Sequence, residues 1–114
     1  RPQVAASALG IARAAFEYAT EYANERQAFG KPLISKQGVS FKLADMAMQV
    51  EAARLLVWRA AAALDAGEDA GLLGSYAKAF AADAAMSITT DAVQVLGGAG
   101  IMRSFAISVT SFCV

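Results

Sequence analysis

Alanine-filled helical periodicity limits what this chain can fold into. From Pro2 to Leu96 apolar residues recur at steps of three and four, and alanine fills much of the space between them. Alanine has the highest intrinsic helix propensity, and its small side chain lets helices approach closely. A 3.6-residue period sustained over such lengths predicts long α-helices. The first segment runs from about Pro2 to Phe29, and Pro2 suits a first helical turn. Val4, Ala8, Ile11, Ala15, Tyr18 and Tyr22 form one stripe, with Leu9, Ala12, Phe16 and Ala19 beside it. Gly30 and Pro32 are expected to stop this helix.

The second segment runs from near Ser35 to about Ala66. Its stripe is Val39, Leu43, Met46, Val50, Ala53, Val57, Ala60 and Leu64, widened by Met48, Leu55 and Trp58. "DAGEDAG", Asp65 to Gly71, reads as a turn. The third segment, Leu72 to Leu96, carries Leu73, Ala77, Phe80, Ala84, Ile88 and Val95, and "GGAG" breaks it. Short connections make the three an antiparallel up-down-up bundle. Apolar stripes on two sides leave that bundle one partner short, a fourth helix or another subunit. The tail "IMRSFAISVTSFCV" has no helical period and only weak strand character.

Charge and composition exclude several functions. Lysine plus arginine and aspartate plus glutamate number ten each, so the net charge is zero and nothing favours nucleic acid. Histidine is absent, which removes Ser-His-Asp and Cys-His catalysis and most zinc sites within this chain. Cys113, the one cysteine, has no internal partner for a disulfide, which fits a reducing compartment. "RPQVAASALG" lacks the layout of a secretory leader, and no charge-free apolar run is long enough to predict a membrane span.

Few residues are candidates for chemistry. Arg26 and Phe29, in "NERQAFGKP", stand where the first segment ends. They either finish a helix, with a cation favoured by the macrodipole and a ring packing the corner, or present a guanidinium fork and a ring to a phosphate-bearing ligand. Spacing does not decide between these. "QVLGGAG", Gln94 to Gly100, is either a glycine C-cap or a bare backbone that a ligand can touch. It has neither the preceding strand and spacing of a dinucleotide-binding fingerprint nor the Lys-Ser/Thr of a P-loop. Asp45 and Glu51 are expected on the helix surface or in ion pairs, and Met46 and Met48 in the core. Arg13 and Glu17, four apart, are expected to pair on the wet face.

Read in order, these pieces resemble one family. "RPQVAASALGIARAAFEYATEYANERQAFGKPL", Gln37, "FKLADM", "AAR", "AKAFAADAA" and "DAVQVLGGAGI" are similar, without a gap from Arg1 to about Arg103, to the C-terminal domain of acyl-CoA dehydrogenases. The resemblance implies an all-α fold, three long helices of an antiparallel four-helix bundle that builds a homotetramer core, with an atypical tail over 104–114. It implies FAD as cofactor. Arg26 and Phe29 would reach the flavin nucleotide of a neighbouring subunit, Gln37 would lie against it, and Gln94, Gly97 and Gly98 would line its adenosine end. Arg1 matches an arginine near the acyl-CoA site. The implied reaction is α,β-dehydrogenation of an acyl-CoA thioester by a glutamate base and the flavin, with electrons passing to an electron-transferring flavoprotein. Bacterial cytoplasm and mitochondrial matrix both fit.

The chain also departs from the family. No Glu follows Glu68, and the second family position for the catalytic base lies just before Arg1, so neither is present and this chain alone is expected to be inactive. After "GGAG" the family pattern is lost. We hypothesise a truncated or frame-shifted reading of the gene beyond Arg103, and an intact frame in the surrounding DNA with this same tail would rule that out. Two alternatives compete: an acyl-CoA oxidase or flavin monooxygenase of the same superfamily, and a non-catalytic helical assembly module.

Overall fold

The computed structural model describes residues 1–102. Arg103 and the expected tail, 104–114, lie outside the described residues. Three α-helices make up most of the chain: α1, Pro2–Glu25, α2, Gln37–Asp65, and α3, Gly71–Leu96. At 29 residues, α2 spans about 44 Å. The helices alternate in direction. Pro2, Leu64 and Gly71 meet at one end, and Tyr22, Leu33 and Leu96 at the other. Each helix touches both others, α1 and α3 most extensively. The all-α, up-down-up arrangement is the one that the periodicity predicts.

Alanine makes the close approach possible. The buried line of α1 is Ala5, Ala12, Ala15, Ala19 and Ala23, all small. This line runs between the two expected stripes, so the larger residues flank the contact and Val4 is exposed. Around it sit Leu43, Met46, Val50, Ile88, Val95 and Leu96 in one cluster. Ala53, Val57, Ala60, Ala77 and Ala81 form a second cluster toward the other end. Thr89, buried in α3, donates its hydroxyl to the Ala85 carbonyl at 2.7 Å, so its polar atom is satisfied inside the helix.

Some expected core positions face outward. Met46 is fully buried, but Met48 is 63% exposed. Two residues apart on a helix are about 200° apart around its axis, so both cannot face one core. Leu55, Trp58 and Leu64 are also exposed, and Ala63 takes the inward place expected of Leu64. Phe41, Met48, Leu55 and Trp58 thus make a second apolar stripe along the outside of α2. Leu72, Tyr76 and Phe80 continue an outward apolar face on α3.

Polar ties are few and lie near the surface. Arg13 and Glu17 pair at 2.7 Å, as expected. Their hydrogen bond, more than their charge, raises the Arg13 pKa above the usual arginine value. Glu51 pairs with Arg54 along α2. The half-buried Lys42 Nζ lies 3.1 Å from Asp91 Oδ1 and joins the start of α2 to the end of α3. Among the described residues no helix is long and apolar enough to cross a membrane.

Candidate functional site: the hairpin end of the bundle

Helix α1 ends at Glu25, four residues before the expected end of the first segment near Phe29. Arg26 caps it in an extended conformation, its N–H donating to Tyr22 O at 2.9 Å. The chain then forms a minimal hairpin of β1, Gln27–Ala28, and β2, Lys31–Pro32, pairing Gln27 with Pro32 and Ala28 with Lys31. Phe29 and Gly30 make its two-residue turn, with φ values of 54° and 78°. Positive φ at both turn residues matches the twist of a tight hairpin. Leu33 N–H donates to Arg26 O at 2.7 Å and closes its base. A 3₁₀ turn, Leu33–Ser35, leads to Lys36, the N-cap of α2.

Phe29 therefore does not finish a helix or pack a corner. Its ring is 96% exposed at the hairpin tip. A non-glycine residue in the left-handed region costs about 1–2 kcal/mol, and a bulky one there is unusual. Packing does not repay this. The contact recorded for the ring is the Lys36 ammonium, 5.3 Å from its centroid. Lys36 was not singled out from the sequence, because the turn that brings it back beside Phe29 has no Asn-Gly or Asp-Gly signal.

At the far end of the sequence, α3 stops at Gly97, whose φ of 60° and ψ of −135° lie in a region essentially reserved for glycine. A 3₁₀ turn, Gly97–Ile101, folds back over the helix end. At Gly100 a Cβ would fall 2.8 Å from the Val93 carbonyl oxygen, so this glycine is required by close approach within the chain. Gly98 differs from both. Its φ is not positive and a Cβ there would meet nothing within 4 Å among the described residues, so nothing in them calls for glycine.

Arg26 and the diglycine meet. Tyr22, Arg26, Leu33, Leu96, Gly97 and Gly98 line one open cleft of about 540 Å³. Arg26 is exposed, and no carboxylate among the described residues pairs with it. Gln94 is exposed in the last turn of α3, and Gln37 is exposed in the first turn of α2, neither lining the cleft. Arg1 lies at the opposite end of α1, roughly 36 Å away at 1.5 Å per residue. There its Nη1 donates to Ser75 Oγ at 2.6 Å, and Lys78 and Asp83 share its cleft. Among the described residues no cluster of His, Cys, Asp or Glu could hold a metal.

The described residues present an all-α bundle domain with an exposed arginine and a glycine backbone in one terminal cleft. Its family follows from comparison: the description "Acyl-CoA dehydrogenase, C-terminal domain" matches residues 1–110, and the chain belongs to that family. An acyl-CoA dehydrogenase of Bacillus subtilis (strain 168) is 51% identical over 104 residues, 91% of this chain and 27% of the relative. The solved butyryl-CoA dehydrogenase of Megasphaera elsdenii superposes with a TM-score of 0.92 at 50% identity, over 94% of this chain and 28% of that one. An FAD complex of PigA matches at 32% identity with a TM-score of 0.86, over 90% of this chain and 27% of that one. The chain thus spans little more than a quarter of the proteins it matches.

Proposed function

We propose that this chain serves as the C-terminal domain of an FAD-dependent acyl-CoA dehydrogenase, an oxidoreductase acting on acyl-CoA thioesters. Its role there is to clasp the flavin nucleotide held mainly by a neighbouring subunit. Arg26 supplies a guanidinium for the pyrophosphate, and Gly97 and Gly98 let the nucleotide approach the backbone. Phe29, Gln37 and Gln94 stand around the same end. Bound FAD would supply the hydride acceptor. The residues present fit the group: among the described residues the guanidinium has no carboxylate partner, the ring is 96% exposed, and nothing calls for glycine at position 98.

Arg1, at the other end of α1, belongs to the acyl-CoA side, and no residue of this chain serves as the base. The exposed faces of α2 and α3 suit a fourth helix and subunit contacts within a homotetramer. We further propose that 1–103 form the bundle domain, with 104–114 an atypical tail. Electrons would pass to an electron-transferring flavoprotein, in the bacterial cytoplasm or the mitochondrial matrix.

The observation that carries this is the meeting of Arg26 with Gly97 and Gly98 in one cleft, across about 70 residues of sequence. A purely structural assembly module does not require a free arginine there. The test is to co-express this chain with the flavin-binding remainder of the enzyme and measure retained FAD. Arg26→Ala should weaken FAD binding about ten- to a hundredfold, as expected for loss of a charge-assisted hydrogen bond worth about 1.5–3 kcal/mol. Unchanged retention would reject the phosphate role.

A further inference from the structure

Two residues at the hairpin are placed against local preference, and they lie within cation–π range of each other. Phe29 holds a positive φ with its ring 96% exposed. Lys36 is the N-cap of a 29-residue helix, where a cation opposes the helix dipole. No side chain caps that helix, and its first turn holds no acidic residue to offset the charge. The Lys36 ammonium instead sits 5.3 Å from the centroid of the Phe29 ring, within cation–π range.

The backbone fixes this meeting. Leu33 N–H to Arg26 O at 2.7 Å and Lys36 N–H to Leu33 O at 3.0 Å tie the end of the hairpin to the start of α2. Ser35 Oγ donates to Pro32 O at 2.7 Å within the same turn. An exposed phenylalanine otherwise rotates about two side-chain torsions and loses that freedom when a ligand packs on it. A ring already held on one face loses less.

We infer that Lys36 is a positioning residue for Phe29: its ammonium holds one face of the ring so that the other is presented to the flavin nucleotide. This rests on the flavin role proposed above and adds a residue to it. Lys36 acts through the ring and does not itself bind a phosphate.

The test uses the flavoprotein assembled from this chain and the flavin-binding remainder, with the FAD dissociation constant read from flavin fluorescence at several salt concentrations. Lys36→Met should weaken FAD about two- to fivefold, and Lys36→Arg, which keeps a cation for the ring, should restore it. In a Phe29→Leu background, Lys36→Met should have no further effect, and its salt dependence should match the parent's. Equal loss with and without the ring would show Lys36 acting directly on the nucleotide, and would overturn the inference. So would a Lys36→Met protein that binds FAD normally while Phe29→Leu binds it weakly. If Arg26→Ala and Phe29→Leu both leave binding unchanged, the flavin role itself falls, a result distinct from failure of Lys36 alone.

Discussion

Phe29 illustrates a conflict between local stability and what a side chain is kept for. Its backbone conformation suits asparagine or glycine, and its ring buries almost nothing. Phe29→Asn should relieve strain of about 1–2 kcal/mol and forfeit a contact with Lys36 worth about 0.5–1 kcal/mol. The expected net is a domain more stable by up to about 1.5 kcal/mol in denaturant unfolding, with poorer FAD retention. A variant that binds FAD as well as the parent would show the ring to be dispensable. Arg26 and the diglycine were visible in the sequence as candidates, because their chemistry is explicit. Their meeting was not, since nothing local joins residue 26 to residue 97. The exposed tip was hidden for another reason. A Phe-Gly pair carries no hairpin signature, and Gly30, the stop expected for the first segment, lies five residues past the point where the helix ends.

Among the elements, α2 was well bounded and less well oriented. Its limits were legible because Pro32 and the "DAGEDAG" stretch break helices. Its inward face was only partly so, because in a chain that is 57% apolar more than one stripe fits the helical period. Leu43, Met46, Val50, Ala53, Val57 and Ala60 turn inward as expected, but Met48, Leu55 and Trp58 do not. The distinction is measurable. Met46→Ala removes a fully buried side chain and should cost about 2–5 kcal/mol. Met48→Ala, in the domain alone, should stay within about 0.5 kcal/mol of the parent in chemical denaturation. Comparable losses would place Met48 in a core. The Lys42–Asp91 pair, which ties α2 to α3, was invisible to pattern reasoning, since the partners are 49 positions apart.

For the whole molecule, the exposed α2 stripe is the main departure from a self-sufficient domain. Phe41, Met48, Leu55 and Trp58 are each more than half exposed on a single helix. Contiguous apolar area of that kind marks a contact surface. In the homotetramer proposed above, Leu55→Lys with Trp58→Lys should lower the oligomeric mass in sedimentation while leaving α-helical content unchanged. An oligomer of unaltered mass would place the subunit contacts elsewhere.

The span of α1 has one more consequence. If Arg1 and Arg26 take the roles proposed above, their separation of some 36 Å keeps one copy from serving a single reaction centre with both ends. Each copy would instead belong to two centres, its own through Arg1 and a neighbour's through Arg26. Mixed assemblies of Arg1→Ala copies with Arg26→Ala copies should therefore turn over faster than either variant alone, because some centres would draw an intact arginine from each.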